Sequence, residues 1–275
     1  MPKPELKLTP HVIVFVDLLG FRELLKATAD PQASRDLLEE YSEVIDVVLD
    51  VLGKSDKLVF SHWSFSDSFL LAASQGTDDW EAAIGFATVM VAHLQLEMVL
   101  RGWFVRGGFS LGPFYGDDRI VFGPAFLEAY EVETKRAIYP RVTMTDRVLY
   151  ENMEALRYYA NPYESPQNGY VLVDSDNTAF VNYLYTPIGA EEDRAASVEV
   201  ARKHKQVVEE SLQQFRMNPH LLAKYRWVAA YHNFFVTTWL KDLSDELIIT
   251  SALIRDRPVL LVPRDWASLR EQGLL

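Results

Sequence analysis

The chain contains no cysteine, which excludes disulfide bonds, thiolate zinc sites and thiol nucleophiles. It is poor in basic residues: 27 Lys and Arg stand against 39 Asp and Glu, for a net charge of −12. General nucleic-acid binders carry a basic face, so this balance argues against one. The first ten residues have no apolar core of signal-peptide length, and polar residues interrupt the most apolar segment, 82–100. We therefore expect a cytoplasmic protein that binds neither nucleic acid nor membrane.

The length of 275 residues, with 49% hydrophobic and 24% charged residues, is typical of one elaborated globular domain. Apolar runs, helical periodicity and turn signals predict the element order β-α-α-β-β-α-β-β-α, followed by a hairpin turning at 174–178 and two long helices. Asn218-Pro219 separates those two helices. The expected fold class is therefore α+β, with a mixed β-sheet flanked by helices.

Two apolar strands each deliver one carboxylate. Asp17 ends the run HVIVFVD, and Asp67 is centred in LVFSHWSFSDSFLLAA, 50 positions later. Asp17 could simply cap the following helix, and Asp67 could simply form a tight turn. As neighbours in one sheet, however, the two carboxylates would repel each other unless a cation lay between them. Hard divalent ions prefer such oxygen ligands, so the pair predicts a two-metal site for a nucleoside triphosphate.

The motifs FVDLLGF, FSDSF and VRGGFSLG, followed by GPAFLEAYEVE, resemble those of the class III nucleotidyl cyclases. The chain looks most like the pyrimidine cyclases of bacterial Pycsar anti-phage defence. The helix KYRWVAAYHNFF is similar to a C-terminal segment of that group, which ordinary adenylate cyclases lack. The resemblance implies a cyclase-like domain over 10–185 and a helical C-terminal extension over 186–275, packed on the same domain.

In that family the first-strand Asp and the hairpin Asp bind two divalent ions, Mn²⁺ or Mg²⁺. The resemblance assigns this role to Asp17 and Asp67, with the carbonyl of Leu18 as a further ligand. It also implies that the amides of Leu19, Gly20 and Phe21 hold the triphosphate. Free N–H groups at a helix N-terminus favour an anion there on physical grounds as well.

The chain departs from the purine cyclases at both positions that read the base, where it has Trp63 and Ile120. This departure favours a pyrimidine, and we expect Trp63 to fill the space that a purine would occupy. Overall resemblance favours UTP over CTP.

The transition-state Asn and Arg of the animal enzymes would align near Leu127 and Glu131, and neither residue matches. Cationic residues that could replace the Arg, or equally form surface ion pairs, are Arg106, Lys135, Arg136 and Arg141. Arg106 and Arg141 are the two that we expect to contact the substrate.

The resemblance implies a homodimer, because metal-binding and base-binding elements lie on opposite edges of the family's domain. It also implies a separate effector that senses the cyclic nucleotide. Three alternatives stay open: a cytidylate cyclase, a nucleotide-binding regulator with a decayed cyclase site, and a protein-interaction module. In the last case the aromatic residues of the C-terminal helix, expected to form a core or dimer face, would bind a protein.

Overall fold

The computed structural model of the chain describes residues 6–28, 30–53, 59–75, 80–160, 165, 167–191, 194–251 and 254. Within these residues eight strands form one sheet. The strands are β1 (Thr9–Leu18), β2 (Phe60–Phe65), β3 (Ser68–Ser74), β4 (Val105–Gly116), β5 (Val121–Phe122), β6 (Val142–Met144), β7 (Val171–Val173) and β8 (Ala179–Val181).

The strand order is β2-β3-β1-β4-β6-β8-β7, and β5 pairs with the end of β4. Strands β4 and β6 are parallel, whereas the other pairs are antiparallel. The predicted mixed sheet is therefore confirmed. Because β1 lies between β3 and β4, the register places Asp17 between Ser68 and Arg106.

Ten α-helices accompany the sheet in the described part of the chain. They are α1 (Phe21–Ala27), α2 (Pro31–Gly53), α3 (Trp80–Val99), α4 (Pro124–Lys135), α5 (Asp146–Ala155), α6 (Gln167–Tyr170), α7 (Thr186–Glu191), α8 (Arg194–Gln214), α9 (Pro219–Trp239) and α10 (Ser244–Leu247). The predicted order through α4 is confirmed. The sequence predicts that the second strand begins near residue 57 and that the long third helix begins at residue 78; both positions lie outside the described residues.

The two faces of the sheet pack against different helices, since alternate side chains of β1 point to opposite sides. Val12, Val14 and Val16 belong to the main core, which includes buried residues of α2, α3, α8 and α9. Phe15 belongs to a smaller cluster beneath α4. Asp17 continues the alternation on this second face, where fewer helices cover the sheet.

Helices α8, α9 and α10 form the predicted helical C-terminal extension. The α9 residues Trp227, Tyr231 and Phe235 are fully buried and belong to the same main core as the sheet. The predicted core role of these aromatic residues therefore holds. The division of the chain at residue 185 remains a prediction.

Helix α3 is the one described helix that is long and apolar enough to cross a membrane, judged by length and composition. In the structure, 61% of its most apolar window is buried inside the protein. It packs against α2 and α5, which is the position of a core helix, as the sequence predicts.

Candidate nucleotide and metal site

Asp17 lies at the end of β1 with polar neighbours on both sides. Its Oδ1 accepts a hydrogen bond of 3.2 Å from Ser68 Oγ, and its Oδ2 accepts one of 3.2 Å from Arg106 Nε. Burial raises the pKa of Asp17; Arg106 opposes this shift, and the nearby Asp67 carboxylate adds to it. The two carboxylates are thus close enough to repel each other, as the sequence predicts.

Asp67 lies in the two-residue turn between β2 and β3, beside the end of β1. Its carbonyl accepts a 2.8 Å hydrogen bond from the Leu18 N–H, which holds the turn against β1. The preceding residue, Ser66, has a left-handed φ of 59°, and its carbonyl accepts a hydrogen bond from the Tyr41 hydroxyl. Among the described residues, the Asp67 carboxylate has no hydrogen-bond or ion-pair partner. It is therefore available to an external cation.

The turn after β1 is shaped by Gly20, which has a φ of 80° and caps the N-terminus of α1. Glycine adopts this left-handed conformation without the strain that a side chain would cause. No described acceptor bonds the N–H groups of Gly20 and Phe21, so both can bind an anion. The prediction that the Leu19 amide binds the triphosphate is wrong, because this N–H donates a 2.8 Å hydrogen bond to the Phe104 carbonyl.

Arg106 bridges Asp17 to Glu133, a residue of α4 that the sequence did not single out. Its Nη2 lies 2.8 Å from Glu133 Oε1, but this close ion pair lacks hydrogen-bond alignment. Burial raises the pKa of Glu133 to about 7, while Arg106 acts to lower it. Close packing of α4 on β4 makes the contact possible, because a Cβ at Gly108 would lie 2.0 Å from the Ala129 carbonyl oxygen. The second glycine of VRGGF thus has a packing role.

A cavity of about 550 Å³ joins these elements. Residues 17–23, Asp67 and Arg106 line it. Asn218, which caps α9, and the α9 residues His220, Leu221 and Lys224 line it as well. The structure therefore brings seven predicted site residues to one cavity: Asp17, Leu18, Leu19, Gly20, Phe21, Asp67 and Arg106. The contribution of α9 was missed, because its local sequence marks where the helix begins but not which distant segment its first turns approach.

The donor set suits hard divalent ions. No group of three or more His, Asp or Glu residues able to hold a metal occurs in the described part of the chain. Mg²⁺ is often bound by one or two carboxylates together with substrate phosphates and water. Asp17 and Asp67 fit this pattern, and the unpartnered Asp67 carboxylate is the observation that favours it. The metal assignment itself remains a prediction.

Trp63 does not line this cavity. Its indole N–H donates a 3.1 Å hydrogen bond to the Asp117 carbonyl, and its ring packs edge-on against Phe114, with centroids 5.8 Å apart. Ile120 lies in the same turn between β4 and β5, where its N–H donates to the Asp117 carboxylate. Trp63 and Ile120, the two positions expected to read the base, therefore both contact Asp117, and neither lines the cavity that contains Asp17 and Asp67.

The sequence predicts that Arg141 contacts the substrate, but the structure places this residue in the protein interior. It is fully buried, and its guanidinium donates hydrogen bonds of 2.5 Å to Asp174 and 2.6 Å to Asp176. The predicted contact with substrate is wrong, because these carboxylates and the rings of Tyr139 and Trp227 surround the cation away from the cavity.

The other two cations proposed for the transition state are also outside the cavity. Lys135 pairs with Glu131 on α4, and Arg136 pairs with the exposed Asp146. Of the four candidates, Arg106 is the one whose side chain lines the cavity.

Comparison with known proteins gives distant structural matches. No protein-family model matches the chain, and no curated protein matches it. The adenylyl cyclase CyaB from P. aeruginosa superposes with a TM-score of 0.40 at 11% identity, covering 64% of this chain and 93% of its own. A class III adenylyl cyclase-like ATP-binding protein from Pseudomonas aeruginosa gives 0.48 at 13% identity, covering 80% of this chain and 48% of its own. The chain thus spans about half of the second structure.

Proposed function

We propose that the protein is a nucleotidyl cyclase that converts UTP to 3′,5′-cyclic UMP and pyrophosphate. One observation carries this proposal: a single cavity combines two close carboxylates with the free amides of Gly20 and Phe21 and with cationic side chains. This arrangement suits a triphosphate with bound metal ions, whose charges need both anionic and cationic partners. The motif resemblance supports cyclisation among the reactions of such substrates.

In the proposed reaction, the ribose 3′-hydroxyl gives up its proton to water and its oxygen attacks the α-phosphorus. A new P–O bond forms, and the bond between the α-phosphorus and the departing pyrophosphate breaks. Two divalent ions held by Asp17, Asp67 and the Leu18 carbonyl would lower the pKa of the 3′-hydroxyl and neutralise the phosphates. The amides of Gly20 and Phe21 bind phosphate oxygens. Arg106 is the protein cation nearest to Asp17, and it can stabilise the charge that develops at the phosphorus.

The proposed base is a pyrimidine, because Trp63 and Ile120 replace the purine-reading residues. UTP is favoured over CTP by resemblance alone, and CTP is the alternative substrate. Uracil and cytosine differ by a donor–acceptor exchange at the ring, so one polar contact decides between them.

The proposed active form is a homodimer with two equivalent sites. Trp63 lies outside the cavity of its own chain, so a partner subunit would bring its base-reading turn to that cavity. Exposed apolar side chains on the α4 face of the sheet support this assembly, since such patches mark interaction surfaces. They include Phe65, Phe122, Leu127 and Tyr130.

The family resemblance further supports a role in anti-phage defence, in the cytoplasm, with a separate effector that responds to cyclic UMP. A rival proposal is a nucleotide-binding regulator with a decayed site. It is favoured by Leu127 and Glu131, which are exposed on α4 and supply neither the Asn nor the Arg of the animal enzymes. A protein-interaction module is the other rival.

Pyrophosphate release, measured with Asp17→Asn and Asp67→Asn, tests the proposal. Each change should lower turnover on the order of a thousandfold, because it removes an anionic ligand while keeping the side-chain volume. Asp46→Asn, at an exposed position on α2, is the matched control and should retain full activity.

Unchanged turnover in either site variant would contradict the two-carboxylate assignment. Triphosphate binding without pyrophosphate release would favour the regulator. An interaction module would show no metal-dependent change in melting temperature with any nucleoside triphosphate.

A further inference from the structure

Lys224 of α9 lies in the wall of the cavity that the end of β1 also lines. Its side chain is half-buried, and it makes no hydrogen bond or ion pair with any described residue. Partial burial of an ammonium costs solvation energy, which an anion bound to its N–H donors would offset. No described side chain supplies that anion.

The electrostatic surroundings of Lys224 are mixed. Burial lowers its pKa, and so does the nearby Arg106 cation, while Asp17, Glu133 and Glu23 act to raise it. None of these carboxylates comes within ion-pair distance of the ammonium. A lysine placed near carboxylates but paired with none of them has its donors available to a bound anion.

The other cations of the cavity are less suited to this role. Arg106 is already held by Asp17 and Glu133. Arg22 is exposed on α1. Lys224 combines partial burial, the lack of a described partner and a position in the same cavity as Asp17 and Asp67.

We infer that Lys224 binds the polyphosphate end of the nucleotide, so that the C-terminal helical segment completes the site within its own chain. The inference rests on the proposed function in taking the cavity as a nucleotide site. It adds a positioning residue from α9, which the motif resemblance did not assign. A lysine ammonium acts on phosphate as a point charge with three donors, which suits the mobile end of a triphosphate.

Titration calorimetry tests this inference. It measures the binding of inorganic tripolyphosphate in the presence of Mn²⁺ at fixed ionic strength. Lys224→Met should weaken binding by about 10- to 100-fold, the effect of losing one charge-assisted hydrogen bond. Lys224→Arg keeps the charge and should bind within about fivefold of the original chain. Lys203→Met removes an exposed lysine of α8 and should change nothing. Lys224→Gln serves as a second neutral variant if Lys224→Met lowers the melting temperature.

Equal affinity in the original chain and both neutral variants would overturn the inference. So would an equal loss in Lys203→Met, because overall charge would then explain the effect. Absence of any tripolyphosphate binding by the original chain would also overturn it.

A different set of results would refute the proposed function. Tripolyphosphate binding that depends on Lys224, without a cyclic product from any nucleotide, would refute the cyclase proposal and leave Lys224 as a phosphate ligand. A cyclic product with unchanged binding in Lys224→Met would refute the inference alone.

Discussion

Acidification should destabilise the protein through a buried histidine pair. Tyr183 Oη lies 2.8 Å from His204 Nε2, His204 Nδ1 lies 3.0 Å from His232 Nδ1, and His232 Nε2 lies 2.9 Å from the Leu247 carbonyl oxygen. The carbonyl can only accept, so His232 carries its proton on Nε2 and accepts at Nδ1. His204 then donates from Nδ1 and accepts from Tyr183. With both rings neutral, every donor in this row has one acceptor.

An added proton disrupts this arrangement, because a charged His232 would present an N–H to the N–H of His204. Burial lowers the pKa of His232 from 6.5 to about 4, and burial also lowers the pKa of His204 well below its usual value. Since the folded-state pKa lies below the unfolded value, the stabilisation is complete above pH 6.5 and is lost as the pH falls through 4. At about 1.4 kcal/mol per pKa unit, His232 alone accounts for about 3 kcal/mol. That loss is a large part of a typical stability of about 5–15 kcal/mol.

Urea unfolding, followed by tryptophan fluorescence from about pH 8 to about pH 4, measures this effect. In His232→Gln the side-chain amide can still donate to Leu247 but does not titrate. Its free energy of unfolding should fall by about 3 kcal/mol less than that of the original chain over this range. His62→Gln, at an exposed position on β2, should follow the original chain. Parallel curves for the original chain and His232→Gln would refute the assignment of neutral, buried rings.

Two further predictions concern residues that the sequence placed in the site. Arg141→Met should lower the free energy of unfolding by about 3–5 kcal/mol, because it removes the cation that pairs with the buried Asp174 carboxylate. The control Arg136→Met removes an exposed ion pair and should lower it by under about 1 kcal/mol. Similar urea midpoints for the two variants would contradict this prediction. Trp63→Phe keeps an aromatic ring but loses the hydrogen bond to the Asp117 carbonyl, so it should lower UTP turnover and relax discrimination against ATP in a competition assay. Unchanged base preference would show that selection lies elsewhere.

Much of the fold is predictable because its signals are local. The apolar run ending at Asp17 forms β1, and α4 begins at Pro124, a residue type favoured in the first turn of a helix. Asn218 caps α9 by accepting from the Leu221 N–H at 3.2 Å, and the turn at 174–178 joins β7 to β8. Each of these features is decided by residues that are close along the chain.

The remaining site features depend on contacts between distant segments. Arg141 looks like a surface residue until the fold places Asp174, Asp176 and Trp227 around it. The amide of Leu19 looks free until the Phe104 carbonyl reaches it. Lys224 is one lysine on a long helix, and only the packing of α9 brings it to the cavity that Asp17 lines. Sequence periodicity predicts that a residue lies on a helix face but does not identify the neighbour across the fold.

The most direct measurement is incubation of the chain with all four ribonucleoside triphosphates and Mn²⁺, followed by mass spectrometry of the products. We expect 3′,5′-cyclic UMP and pyrophosphate from the original chain and neither product from Asp67→Asn. The absence of any cyclic nucleotide, or the same yield from Asp67→Asn, would contradict the proposed cyclase activity.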